Sequence, residues 1–269
     1  MRGSLPVHSP MKGVFYMCGI SGFCDFSKNF KKEPVLWEQI LTDMHHTLAH
    51  RGSDSFGTYL DTHVGLSHAR LSIRDIAGGS QPMIRQDGGR TCAIVYNGEI
   101  YNTDELLPPL LAAGYTFSTT SDTEVILCAY LHYGRDFVRR LNGIFAFVIW
   151  DGRTGELLLY RDRAGTKPLF YSTPGGALVF GSEPKALFCH PDITPAIDEN
   201  SLLELLSIGP ARTPGNGIFP ACAKFSPVII RFSPGRAWSR CATGILPPPR
   251  TPIPMKKRWR WSLIWCAMP

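Results

Sequence analysis

Met17-Cys18-Gly19-Ile20-Ser21-Gly22-Phe23 decides how the rest of the chain is read. Gly19–Cys24 has the look of a short strand, and a cysteine stands directly before it. A cysteine that follows a methionine becomes the leading residue of a chain once that methionine is removed. One residue then carries two reactive groups. The thiol is a nucleophile, and the α-amine, with an ordinary pKa of about 7.7–8.0, is a base suited to neutral solution. Taken alone, the segment is more readily a buried, inert cysteine opening a core strand.

Outward from this strand, Pro34–Leu48 has apolar residues at helical spacing (Leu36, Ile40, Leu41, Met44, Leu48) and predicts an amphipathic helix. A strand is expected around Leu66–Ile73. Another is expected over Thr91–Tyr96, ending at the turn-like pair Asn97-Gly98. Thr103–Ala113 predicts a helix capped by Asn102 or Thr103. Ser121–Tyr133 predicts another, opened by Ser121 and Glu124 at capping-box spacing. Ile144–Trp150 and Glu156–Arg161 flank Asp151-Gly152-Arg153-Thr154-Gly155 as a hairpin, and Leu169–Ser172 pairs with Ala177–Gly181. A last helix is expected over Asp198–Ser207. Hairpin-linked strands with grouped helices point to α+β with antiparallel sheets.

The 269 residues carry a formal charge of +6, which suggests nucleic-acid binding until its distribution is examined. Residues 220–269 hold nine Lys or Arg and no Asp or Glu, so the preceding residues are net acidic. The same segment holds nine of the 22 prolines and four of the six tryptophans, a shift that marks a boundary. The longest apolar run is Ile144–Trp150, far short of the roughly 18 residues of a membrane span. Residues 1–16 lack the apolar stretch of a secretory signal. The eight cysteines form no CxxC pair and no zinc-like spacing; His46 and His50 lack the glutamate of a metal-binding helix. No metal is expected. A reducing, cytoplasmic setting with free thiols is.

Further motifs follow in order: His50-Arg51-Gly52-Ser53-Asp54, His68-Ala69-Arg70-Leu71-Ser72-Ile73, Tyr96-Asn97-Gly98-Glu99-Ile100-Tyr101-Asn102 and Thr120-Ser121-Asp122-Thr123-Glu124. After them stand Leu141-Asn142-Gly143-Ile144-Phe145, Arg161-Asp162-Arg163-Ala164-Gly165-Thr166-Lys167-Pro168-Leu169 and Ser182-Glu183-Pro184-Lys185-Ala186-Leu187. Together with Met17-Cys18-Gly19-Ile20, this series resembles the class II glutamine amidotransferase domain of the N-terminal-nucleophile (Ntn) hydrolases. The match is strongest to the N-terminal half of glutamine-hydrolysing asparagine synthetases, over about residues 17–219. The resemblance implies a four-layer αββα sandwich of two antiparallel sheets between helices.

It also implies roles. Cys18 is the nucleophile on the glutamine side-chain amide. Asn97 and Gly98 form the oxyanion hole through a side-chain amide and a backbone N–H. Arg70 grips the substrate α-carboxylate, and Glu99 and Asp122 accept from its α-ammonium. Physically the set is coherent, because free glutamine is a zwitterion and needs one cation and one or two carboxylates around an apolar slot. Each residue also has a plainer reading: a type I′ turn for Asn97-Gly98, helix capping for Asp122, a surface ion pair for Arg70. Arg51, Asp54, Arg161, Asp162 and Arg163 read as structural. Ser53 stands where the family usually has proline.

Two expectations concern the ends. With residues 1–16 attached, the Cys18 nitrogen is an amide, so that extension is expected to be a mis-assigned start or, less readily, a cleaved leader. The resemblance stops at Phe219, where a Pro-Gly-His turn and an ATP-pyrophosphatase domain are expected next. Read one base out of frame, the codons of residues 221–230 permit such a continuation. Residues 220–269 are therefore expected to be frameshifted, disordered and without function. ATP and Mg²⁺ are expected only in the absent synthetase domain, with no cofactor in this chain. The expected partners are L-glutamine and that synthetase domain, with no nucleic acid and no membrane. The alternatives are an amidotransferase serving another acceptor and a non-catalytic fragment.

Overall fold

The computed structural model describes residues 17–71, 79–208, 218–224, 228–234 and 236–242. Its elements begin with β1 (Gly19–Cys24), α1 (Pro34–Leu48), β2 (Ser55–Leu60), β3 (Val64–Arg70), β4 (Met83–Asp87), β5 (Arg90–Ile100), α2 (Thr103–Ala112) and α3 (Asp122–Tyr133). There follow β6 (Gly143–Asp151), β7 (Glu156–Arg161), β8 (Phe170–Ser172), β9 (Leu178–Gly181), α4 (Pro184–Leu187) and α5 (Glu199–Ile208). The last strands are β10 (Ala223–Lys224), β11 (Val228–Ser233) and β12 (Arg236–Ala242). One six-stranded sheet runs β10-β8-β9-β1-β3-β2 and the other β12-β11-β7-β6-β5-β4. Neighbouring strands are antiparallel in both.

Strict alternation along the strands separates three cores. Ala93, Val95, Ala146, Val148, Leu157 and Leu159 point inward and meet Ile20, Cys24, Val64, Leu66, Leu178 and Phe180 from the other sheet. The intervening residues Cys92, Ile94, Tyr96, Phe145, Phe147, Leu158 and Tyr160 pack under α2 and α3. On the opposite side Phe23 and Val179 pack under α1 with Trp37, Leu41 and Met44. Period 2 thus feeds two cores from every central strand, and the result is the expected four layers, helix–sheet–sheet–helix.

Several expectations are met closely: β1 and α1 have the anticipated bounds, and the hairpin of β6 and β7 lies where its turn residues predict. Others are corrected. Leu36 is exposed and Trp37 takes its place in the core. The strand at 91–96 does not stop at Asn97-Gly98; β5 continues to Ile100, with Asn97 opposite Ala146 and Gly98 opposite Phe145. Glycine is required there by close approach, not by a turn. A Cβ on Gly98 would lie 2.3 Å from the Ile144 carbonyl oxygen. The capping box of α3 is half made: Ser121 Oγ accepts from the Thr123 N–H at 3.2 Å, while Glu124 reaches instead to Ser118 and Thr119. β2 and β4, short and half exposed, were not anticipated.

The expectation of disorder from residue 220 is corrected for the strands beyond it. β11 pairs with β7, Ile229 opposite Tyr160 through Phe232 opposite Leu157, and β12 pairs with β11. Phe232 is buried among the inward-facing residues, and Arg231 meets Glu156 at 2.8 Å. Without β11, β7 would be an exposed edge with unpaired backbone groups, which explains the pairing. The extension expected over residues 1–16, and residues 243–269 of the tail, lie outside the described residues. No helix among the described residues is long and apolar enough to cross a membrane.

Candidate active site

Cys18 sits where β1 begins, at the middle of its sheet. Helix α1 packs tightly there: a Cβ on Gly19 would fall 2.9 Å from Leu48 Cβ. The strand start is also locked by Ser182, whose Oγ accepts from the Ile20 N–H at 3.0 Å and whose N–H donates to the Ile20 carbonyl at 2.8 Å. The Leu71 N–H lies 3.4 Å from Cys18 Sγ, and Arg51 Nε donates to the Cys18 carbonyl at 3.3 Å. Burial pushes the Cys18 thiol up from its usual range, opposed by the Leu71 amide and by the Arg70 and Lys167 cations. Such a thiol needs a base to become a nucleophile.

A cavity of about 500 Å³ opens beside Cys18, and all six predicted site residues line it: Cys18, Arg70, Asn97, Gly98, Glu99 and Asp122. The fold explains why residues so far apart in sequence converge. Asn97 and Glu99 continue the inward row of Ala93 and Val95, so β5 presents them toward the sheet that carries Cys18. Arg70 closes β3 and is itself buried. Asp122 is the first residue of α3, on the helical side of the same β5 segment.

Two backbone and side-chain donors stand out. Asn97 is 2% exposed, and its Nδ2 is buried with no hydrogen-bond partner among the described residues. A buried donor left unpaired costs about 1–3 kcal/mol, so a native fold keeps one where a ligand will satisfy it. The second donor is the Gly98 N–H. The Tyr101 N–H donates to the Asn142 carbonyl, which puts the odd-numbered amides of β5 on the β6 side. The even-numbered amides therefore face away from β6. The Tyr96 N–H is taken by Gln81 Oε1 at 2.6 Å and the Ile100 N–H by Asp122 Oδ2 at 3.1 Å. Gly98 lies between them on the same edge, against the cavity.

Asp122 is more than a cap. Ser121 caps the helix, while Asp122 Oδ2 accepts from the Tyr96 hydroxyl at 2.7 Å as well as from Ile100. Burial, aided by the Asp122 charge, pushes the Tyr96 phenol well up, so it stays a donor. His68 Nε2 donates to the Tyr96 carbonyl at 3.1 Å; burial lowers this imidazole to about 4 and keeps it neutral.

Sequence reasoning missed Gln81 and Lys167 as neighbours of the site. Gln81 and Lys167 line the cavity. Lys167 Nζ stands 3.1 Å from Met17 Sδ. It is held there by Asp162, whose carboxylate accepts from the Thr166 and Lys167 N–H groups at 3.0 and 3.2 Å. Burial lowers the Lys167 ammonium, and the Arg51 cation adds to that. The reading of Arg51 and Asp162 as structural agrees with these contacts; Arg51 also pairs with Glu183 at 3.0 Å. His50 faces Glu183 at 2.9 Å rather than His46.

Two antiparallel sheets between helices, with Cys18 at the head of a central strand, are the architecture of the class II amidotransferases among the Ntn hydrolases. The same fold occurs in glutamine phosphoribosylpyrophosphate amidotransferase from B. subtilis, complexed with ADP and GMP. The TM-score is 0.61 at 19% identity, over 85% of this chain and 50% of that one. The model of the glutamine amidotransferase domain family matches residues 17–237, past the boundary expected at Phe219, and the chain belongs to that family. Curated relatives in Bacillus subtilis (strain 168) include asparagine synthetase [glutamine-hydrolyzing] 3, 45% identical over 218 residues, 81% of this chain and 35% of the relative. Asparagine synthetase [glutamine-hydrolyzing] 1 is 42% identical over 192 residues, 71% of this chain and 29% of the relative. The chain thus spans about a third of the length of these relatives.

Proposed function

We propose that this chain hydrolyses the side-chain amide of L-glutamine to glutamate and ammonia through a thioester at Cys18. The observation that carries the reading is the buried, unpartnered Nδ2 of Asn97 in the cavity that Cys18 lines. In this scheme the Cys18 α-amine takes the thiol proton and sulfur bonds to the carboxamide carbon. Charge then develops on the amide oxygen, where Asn97 Nδ2 and the Gly98 N–H receive it. The C–N bond breaks and nitrogen leaves as ammonia with the proton held by the amine. Water adds to the thioester, glutamate departs and the thiol is restored. Arg70 holds the substrate carboxylate, and Glu99 with Asp122 receives the ammonium group.

The scheme needs a free amine on Cys18, so we assign activity to a form that begins there. It asks for no cofactor. In a longer protein of the relatives' length, the ammonia would serve a synthetase domain using ATP and Mg²⁺ to convert aspartate to asparagine. A cytoplasmic setting suits a thiol that must stay reduced.

The test is trapping with a glutamine-like electrophile, read by intact mass and peptide mapping beside an assay for glutamate and ammonia. Labelling at Cys18 with turnover in the form beginning at Cys18 is the expected result. Turnover by the full 269-residue chain with its extension intact would overturn the role of the amine.

A further inference from the structure

We propose that Gln81 is a positioning residue that keeps the Gly98 N–H aimed into the cavity; the proposal rests on the oxyanion role just assigned to Gly98. The outer edge of β5 changes partners along its length. From Arg90 to Ile94 it is covered by β4, with Met83 opposite Ile94 as the final pair. Beyond Ile94 no strand among the described residues covers that edge. Two side chains from separate elements take over. Gln81, just ahead of β4, accepts the Tyr96 N–H at 2.6 Å, and Asp122, at the head of α3, accepts the Ile100 N–H at 3.1 Å.

A continuing strand would have supplied a carbonyl to the Gly98 N–H as well. Single side chains satisfy the amides on either side and leave the central donor to the cavity. Gln81 is braced from behind, since its Nε2 donates to Thr123 Oγ1 at 3.4 Å on the first turn of α3. Gln81 thus ties the two acceptors of the edge together. Asp122 is also assigned to the substrate ammonium, so its removal would damage two functions at once. Gln81 isolates the positioning effect. Gln81 borders the cavity, but its side-chain oxygen is committed to Tyr96 and its nitrogen to Thr123, so it acts on the reacting atoms through β5.

The test compares the form beginning at Cys18 with its Gln81→Met and Gln81→Glu variants. Methionine keeps the length and loses the acceptor; glutamate keeps the acceptor. For Gln81→Met, kcat for glutamine falls about 10- to 100-fold, somewhat less than direct loss of an oxyanion donor, with KM changed less than about threefold. Binding of a γ-aldehyde analogue, whose thiohemiacetal places an oxygen where the oxyanion forms, weakens in parallel, while binding of glutamate does not. Gln81→Glu recovers most of kcat. Faster exchange of the Tyr96 and Gly98 amide protons in Gln81→Met, beyond any change at the β4-paired amides of Cys92 and Ile94, reports the loosened edge directly. An active parent whose Gln81→Met variant keeps its kcat and aldehyde affinity would overturn the role of Gln81 alone. Equal losses of kcat in both variants, or equal weakening of glutamate and aldehyde, would overturn it too. A parent that does not hydrolyse glutamine would overturn the underlying reading.

Discussion

From Cys92 to Ile94, β5 has a strand on each side; from Val95 to Ile100 it has β6 on one side and side chains on the other. The first half puts its side chains into two cores, Ile94 under the helices and Ala93 between the sheets. The second half keeps the same alternation but spends it on chemistry: Asn97 and Glu99 line the cavity, and Gly98 offers its amide there. The difference is one of partners, not of backbone conformation. Where a strand ladder saturates every donor, β5 is structure. Where the ladder stops, side chains take the Tyr96 and Ile100 amides and the Gly98 N–H between them becomes available to a ligand.

The sharpest way to break this contrast is to remove the group the open half serves. Cys18→Ala in the form beginning at residue 18 is expected to lower glutamine turnover by more than about 10³-fold, with little change in thermal stability. Persisting turnover would mean that the cavity serves another nucleophile. Next in size is Asn97→Ala, expected to lower kcat by about 10²- to 10³-fold. Its stability should hold or rise, since the variant removes a buried donor that has no partner among the described residues. A drop of several degrees in Tm with unaltered kcat would place Asn97 with the core half after all.

The closed half answers oppositely. Ile94 is fully buried under the helical layer. Ile94→Ala is expected to destabilise by about 2–5 kcal/mol, while kcat per folded molecule stays within about twofold. Denaturant unfolding and active-site titration, taken together, separate the two quantities. A kcat loss on the scale of Asn97→Ala would show that the halves are not independent.

This contrast also explains what could be read in advance. Patterns that repeat locally were legible: the helical spacing of α1, the alternation of β6 and β7, and the ordered motifs that brought Cys18, Arg70, Asn97, Gly98, Glu99 and Asp122 to one cavity. What escaped depends on partners distant in sequence. Asn97-Gly98 has the composition of a turn, yet β6 approaches so closely that only glycine fits within a continuing strand. Gln81 looks like a loop residue until Tyr96, 15 positions away, is seen to use it. Lys167 belongs to a turn whose folding around Asp162 has no local signature. The composition of the tail says nothing of the edge of β7, which draws β11 into the sheet.

The smallest expected effect concerns the hinge between the two halves, the start of α3 that carries Asp122 to the open edge. Burial raises the Glu124 carboxyl, but donors from Ser118 and Thr119 together outweigh it and hold its pKa below the ordinary glutamate value. The Ser118 N–H lies 3.0 Å from Oε1, the Thr119 N–H 2.8 Å from Oε2, and Arg85 pairs with it at 3.2 Å. A carboxyl with a depressed folded pKa adds stability that is fully present above its unfolded pKa of about 4.3 and is lost as the pH falls through the lower folded value. Glu124→Gln is therefore expected to cost about 1–2 kcal/mol at pH 7, and the gap to the parent should close in acid below about pH 4. Thermal melts of both proteins from pH 3 to pH 7 measure it. A gap that stays constant across that range would mean that Glu124 works through packing, and that the charge of α3's first turn does not help hold Asp122 against β5.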